Sequence, residues 1–314
     1  MNTEAQRRFE CFGGTVSVHV RGERRASAEA AAERARSQLL DAHRRLSRFL
    51  EDSELSELNR DPRREVPASP LLRELAAAVA VAGAHSGGLV DATLLGRLED
   101  AGYRASLSTG RPAPAAGTLA APAQPAGPDP AAQWQHVQVD AAAGTIVRPP
   151  GVRIDSGGIA KGLLADRVGA SLRGQRAYAV DCCGDVSVGG RAGLERAILV
   201  ADPSGGEPIH ELRLRDGAVA TSGIGRRSWI AADGTPAHHI LDPRSGRPAF
   251  TGIVQATALA PTALLAEIHA KAALLSGPDG AAEWLTHGGV LVHDGGEVEV
   301  VAAETPLSRF AVAS

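Results

Sequence analysis

The chain has 314 residues, 44% hydrophobic and 22% charged, which is the balance of a globular protein rather than a disordered one. Its formal net charge of −3 argues against nucleic-acid binding through a general positive field. No apolar run approaches the ~18 residues that span a bilayer.

Aromatic residues make up only 3%, so the core has to be built mainly from Ala, Val and Leu. Cys11, Cys182 and Cys183 form no CxxC pair, which argues against a disulfide framework or a zinc ribbon. The first ten residues show no basic-then-apolar leader and no lipobox-like cysteine. The expectation is a reduced, cytoplasmic chain.

In chain order, Gly14 to Val20 alternates apolar and polar residues and predicts a strand. Ser27 is placed to cap a long helix running to about Leu50, with an apolar stripe of Leu39, Ala42, Leu46, Phe49 and Leu50. A polar turn over 51–59 follows. Ser69-Pro70 opens a second helix with the stripe Leu72, Leu75, Val79 and Ala82, ended by Gly87-Gly88. Residues 106–133 are rich in Ala, Pro and Gly and read as a flexible surface loop.

Beyond the loop, 136–140 and 145–148 predict a hairpin around Gly144, and Val152 to Ile154 a short strand. A helix is expected from Ile159 to about Leu172. Short strands follow at 177–180, 185–188, 197–201, 209–214, 228–230 (running toward an Asp233-Gly234 turn) and 253–259. Helices are expected from Pro261 to about Leu275 and over 279–286, with a closing hairpin of 290–293 and 298–301 around Gly295-Gly296. Antiparallel strands mixed with helices predict an α+β fold, as one domain over 1–314.

Five segments carry chemistry. Asp155-Ser156-Gly157-Gly158-Ile159-Ala160-Lys161-Gly162 sits where a strand becomes a helix, where free amides favour an anion and Lys161 is within reach of a phosphate. An ordinary Gly-rich turn with a solvated lysine fits the same residues. Thr221-Ser222-Gly223 precedes Arg226 and Arg227 and reads equally as a turn. His238 and His239 are adjacent, so on a strand only one of them faces a given site, and Asp242-Pro243-Arg244 has the form of a tight turn. Asp91 precedes a helix as a cap would. Glu267 and Lys271 stand four apart on one helix face, the spacing of a stabilising pair.

Taken in this order, the segments resemble the ApbE family of flavin transferases. Phe12-Gly13-Gly14-Thr15 resembles the family's first glycine strand, and Leu46 to Phe49 with Asp52 to Asn59 resembles its D-S-E-L-S-x-L-N region. Asp91, Asp155 to Asp166, Val180 to Asp185, Thr221-Ser222-Gly223 and His239 to Gly246 continue the likeness. The resemblance spans about residues 9 to 290. It implies a two-lobed α+β fold related to the T-fold, with mixed or antiparallel sheets, flanking helices and an FAD cleft between the lobes. It also implies transfer of FMN from FAD to a Ser or Thr hydroxyl of an acceptor flavoprotein, with Mg²⁺ and release of AMP. The alternatives are an FAD-binding relative with an impaired metal site and little transferase activity, and an FAD pyrophosphatase.

By the same resemblance, FAD contacts fall to Gly13, Phe49, Asn59, Leu89, Val90, Asp91, Asp155, Lys161 and Leu241. Catalytic roles fall to His239, Asp242 and Thr221, and the metal positions to Gly158, Glu267 and Lys271. Two departures stand out. Lys271 occupies a position where the family has Thr, and a protonated lysine cannot ligate a cation. Cys183 stands where the family has Gly.

Overall fold

The computed structural model describes residues 3–105, 123–231 and 234–307. The expected loop at 106–122 and Asp233 of the expected turn lie outside these.

An antiparallel hairpin opens the chain, β1 (Glu4–Cys11) with β2 (Gly14–Arg21), and Val16, Val18 and Val20 are fully buried on one face. Helix α1 (Arg25–Leu46) packs its Ala31, Ala35, Leu39, Ala42 and Leu46 stripe on that face. The helix ends four residues earlier than its periodicity predicts. The Leu46 and Ser47 carbonyls accept hydrogen bonds from the Ser156 and Ser53 hydroxyls, so the chain turns away before Phe49 and Leu50. Its N-cap is Arg24 rather than Ser27.

The predicted polar turn is in part a short helix, α2 (Glu54–Arg60), capped by the Ser53 hydroxyl accepting from Ser56 N. After β3 (Glu65–Pro67) comes α3 (Pro70–His85), where the Ser69 hydroxyl caps Leu72 N as expected, and then α4 (Leu95–Asp100). The stretch 123–130, expected to be flexible, is tied down in the structure. Gln124 N donates to Phe250 O, Ala126 N to Leu275 O, and Asp129 pairs with Arg97 at 2.9 Å.

Strands β4 (Gln138–Asp140) and β5 (Thr145–Val147) form the expected hairpin and join β3 in a three-stranded sheet. Val152 to Ile154 is not a strand. The Asn59 side-chain amide holds this stretch instead, donating to Ile154 O and accepting from Ile154 N, both at 2.8 Å. A 3₁₀ turn, Ser156–Gly158, leads into α5 (Ala160–Leu172).

The remaining strands are β6 (Ala177–Cys182), β7 (Asp185–Gly189), β8 (Arg196–Val200), β9 (His210–Leu214), β10 (Gly217–Gly223), β11 (Ser228–Ile230), β12 (Pro236–His238), β13 (Ile253–Ala260), β14 (Gly289–His293) and β15 (Val298–Val301). The main sheet is antiparallel throughout, ordered β1-β2-β6-β7-β10-β13-β14-β15. Its central strand β10 ends on Thr221-Ser222-Gly223, residues whose composition predicts a turn.

Helix α6 (Ala263–Ala281) is broken at Gly277, where φ is 71° and ψ is 178° before Pro278, and this break separates the two helices expected at 261–275 and 279–286. It lies beside α5, on β10 and β13. A Cβ on Gly162 of α5 would stand 2.5 Å from the Ala263 carbonyl oxygen, so only glycine permits this close approach. The result is an α+β fold with α1, α5 and α6 packed against a single large sheet.

Candidate active site

The segment after α1, the stretch between α3 and α4, the turn into α5 and the segment after β12 converge on a cavity of about 390 Å³. Of the residues singled out from sequence, Gly13, Phe49, Leu89, Val90, Asp91, Asp155, Gly158, Lys161, His239, Leu241 and Lys271 line it. Asn59, Thr221, Asp242 and Glu267 do not.

The four that fall outside have other partners. Asn59 supports the backbone that leads to Asp155. The Thr221 hydroxyl pairs across the sheet with that of Thr257 at 2.9 Å. The Asp242 carboxylate accepts from Gly127 N, Arg244 N and Ser245 N, and so closes its own turn and anchors the 127 region. Glu267 is 1% exposed and lies behind the cavity wall.

One wall is aromatic and cationic. The Arg48 guanidinium lies 4.2 Å from the Phe49 ring centroid and 4.6 Å from that of Tyr103. It also pairs with Asp155 at 2.9 Å and donates to Tyr103 O. Tyr103 stacks on Trp229 of β11 with centroids 5.6 Å apart. Arg48, Tyr103 and Arg227 also line the cavity, a place that the sequence motifs do not assign to them. For Arg48 the sequence signal is its place between Ser47 and Phe49 in the segment that resembles the family. Tyr103 lies in no motif.

Asp91 is anchored through Oδ1, which accepts from the Thr93 amide and hydroxyl. Its Oδ2 is buried with no hydrogen-bond partner among the described residues, and burial raises the carboxyl above its ordinary range. His239 faces the cavity while His238 packs edge-on against Phe250, 4.7 Å between centroids. Burial, with Arg227 next, holds the His239 imidazole well below 6.5, so it is neutral near pH 7.

Lys161, expected to reach a phosphate, lines the cavity and is not the solvated lysine of the plain-turn alternative. Its ammonium contacts Asp185 closely and lies 3.1 Å from Glu267 Oε1. Burial works against its charge, but the two carboxylates more than offset this and raise its pKa. Glu267 Oε2 accepts from Gly162 N at 2.9 Å, and the adjoining ammonium groups hold this buried carboxyl below its usual range. Lys271 donates to the Gly158 carbonyl and lies 3.8 Å from Glu267 Oε1.

The expected Mg²⁺ position does not fit these residues. Both Glu267 oxygens and the Gly158 carbonyl already accept hydrogen bonds from N–H groups, and Lys271 stands among them. No group of three or more His, Cys, Asp or Glu suited to a metal occurs among the described residues.

The fold recurs in known proteins. The chain belongs to the ApbE family, whose model matches residues 12–292. It is 33% identical over 144 residues to the FAD:protein FMN transferase of Treponema pallidum (strain Nichols), a match covering 40% of this chain and 39% of that one. It is 38% identical over 106 residues to the FAD:protein FMN transferase of Klebsiella pneumoniae (strain 342), covering 32% of each. The matched region is thus about two fifths or less of these curated relatives.

Among solved structures, the ApbE protein of Thermotoga maritima aligns over 95% of this chain and 96% of its own, with a TM-score of 0.75 and 26% identity. The apo flavinyl transferase ApbE of Pseudomonas stutzeri shares the fold, with a TM-score of 0.72 over 96% of this chain and 95% of its own at 23% identity. Among the described residues no helix is long and apolar enough to cross a membrane.

Proposed function

We propose that the chain binds FAD in this cavity and transfers FMN to a Ser or Thr hydroxyl of an acceptor protein, releasing AMP. The observation that carries this reading is the convergence of the Asp155–Lys161 turn and the neutral His239 on one cavity, in a chain of the ApbE family. The unpartnered Asp91 Oδ2 offers an acceptor to a nucleotide N–H or O–H. Phe49 and Tyr103 in the cavity lining offer apolar surface to a ring system.

In the transfer, the acceptor oxygen bonds to the FMN-side phosphorus and the bridging P–O bond to AMP breaks. The AMP phosphate leaves with the electron pair, and His239 takes the hydroxyl proton. The free imidazole is a weak base among cations. The negative pyrophosphate beside it would raise its proton affinity, so that the base gains strength only when substrate is bound.

The position of Lys271 supports a second reading, an FAD-holding relative with little transferase activity. Incubation with FAD and a Ser/Thr acceptor peptide, followed by mass spectrometry, separates the readings. An FMN–phosphoester adduct on the peptide is the expected result. FMN and AMP released equally without peptide would indicate a pyrophosphatase. Bound but intact FAD would indicate the holding role.

A further inference from the structure

We propose that Lys271 is a built-in cation standing in for a divalent metal at the FAD pyrophosphate, so that the cleft binds FAD without added metal. This rests on the FAD reading above.

The geometry has three parts. First, the oxygens at the expected metal position are occupied. Gly158 O accepts from Lys271, Glu267 Oε1 from Lys161, and Glu267 Oε2 from Gly162 N. Asp185 is held by Lys161. Second, Lys161, Lys271, Asp185 and Glu267 sum to zero formal charge in a buried place. In the protein without FAD, a dication added there would have to displace at least one ammonium or leave an uncompensated charge of the kind interiors exclude. Third, Lys271 lines the cavity with 15% of its side chain exposed, whereas Glu267 is shut behind it. An ammonium has three donors. With one on Gly158 O, the others remain for Glu267 and for a phosphate oxygen at the cavity surface.

The test is FAD binding measured by calorimetry on the full chain, in EDTA and in Mg²⁺. The unmodified protein should bind FAD with affinities that agree within about twofold in the two buffers. Lys271→Gln, with folding checked by circular dichroism, should lose about tenfold or more in EDTA, the scale of one charge-assisted phosphate contact. Glu267→Asp with Lys271→Thr should bind weakly in EDTA and regain about tenfold with Mg²⁺, because the pair would then offer oxygens in place of an ammonium.

Binding by the unmodified chain that needs Mg²⁺ overturns this inference and leaves the FAD reading standing. So does a folded Lys271→Gln variant with unchanged affinity. Absence of FAD binding in every buffer overturns both. If Lys271→Gln does not fold, the comparison of buffers on the unmodified chain decides the matter.

Discussion

Asp91 holds one carboxylate oxygen on Thr93 and leaves the other buried without a partner among the described residues. Such an acceptor costs about 1–3 kcal/mol when unmet, so it favours a ligand that donates to it. Asp91→Asn keeps the Thr93 contacts but puts a donor where the free oxygen was. FAD affinity should fall by about tenfold with the melting temperature nearly unchanged. Equal affinity would remove Asp91 from nucleotide binding.

His238 makes a different prediction. Burial holds its imidazole at about 4, below the ordinary 6.5, while its Nδ1 accepts from Ile240 N. Between those pH values the unfolded chain takes a proton that the native ring refuses. Its contribution is therefore present above 6.5 and lost as pH falls toward 4. From pH 7 to pH 5 this one group should remove about 2 kcal/mol of stability. Urea unfolding at the two pH values should show a smaller loss in His238→Asn by about that amount, and identical losses would contradict the assignment.

At the scale of elements, α6 depends on α5 for its start. Asp166 of α5 accepts from Ala263 N and Leu264 N at 2.8 and 2.9 Å, and Thr262 accepts from Leu265 N. Those amides would otherwise be orphaned at the helix end. Asp166→Ala should therefore cost about 1–2 kcal/mol in urea unfolding. It should also loosen Glu267 and Lys271, about one and two turns further along α6. A stability loss within error of zero would show the cap to be dispensable.

The β6–β7 hairpin turns on Cys183 and Gly184, with φ of 60° and 100°, the positive pair of a type I′ turn. Cysteine is poorly suited to the first of these positions and asparagine is well suited. Cys183→Asn should raise stability by about 0.5–1 kcal/mol, read from the unfolding midpoint. A decrease would mean that the contact of Cys183 Sγ with Cys11 O outweighs the backbone strain.

Across the molecule, what could be read from sequence was what local chemistry decides. Ser69-Pro70 and its leucine stripe fix α3, and the alternation of Val16, Val18 and Val20 fixes β2. What escaped was decided by distant partners. The end of α1 follows from Ser156 and Ser53, and the Asn59 amide replaces a strand neighbour for Ile154. The 123–130 stretch is held by Phe250, Leu275 and Asp242, which no composition reveals. At the site, motif order identified eleven lining residues. Whether a motif residue faces the cavity or stands behind it was not legible, because Glu267 and Asp242 owe their places to hydrogen bonds from other segments.

The proposed function and the proposed role of Lys271 meet in one expectation, that FAD lies in this cleft with its pyrophosphate at Lys271. The most direct measurement is a crystal structure of the chain with FAD, grown with Mn²⁺ as an anomalous marker. The expected result is FAD inside the cleft, a phosphate oxygen within hydrogen-bond distance of Lys271 Nζ, and no anomalous peak between them. FAD bound elsewhere, or a manganese ion bridging the pyrophosphate to Glu267 with Lys271 turned away, would contradict it.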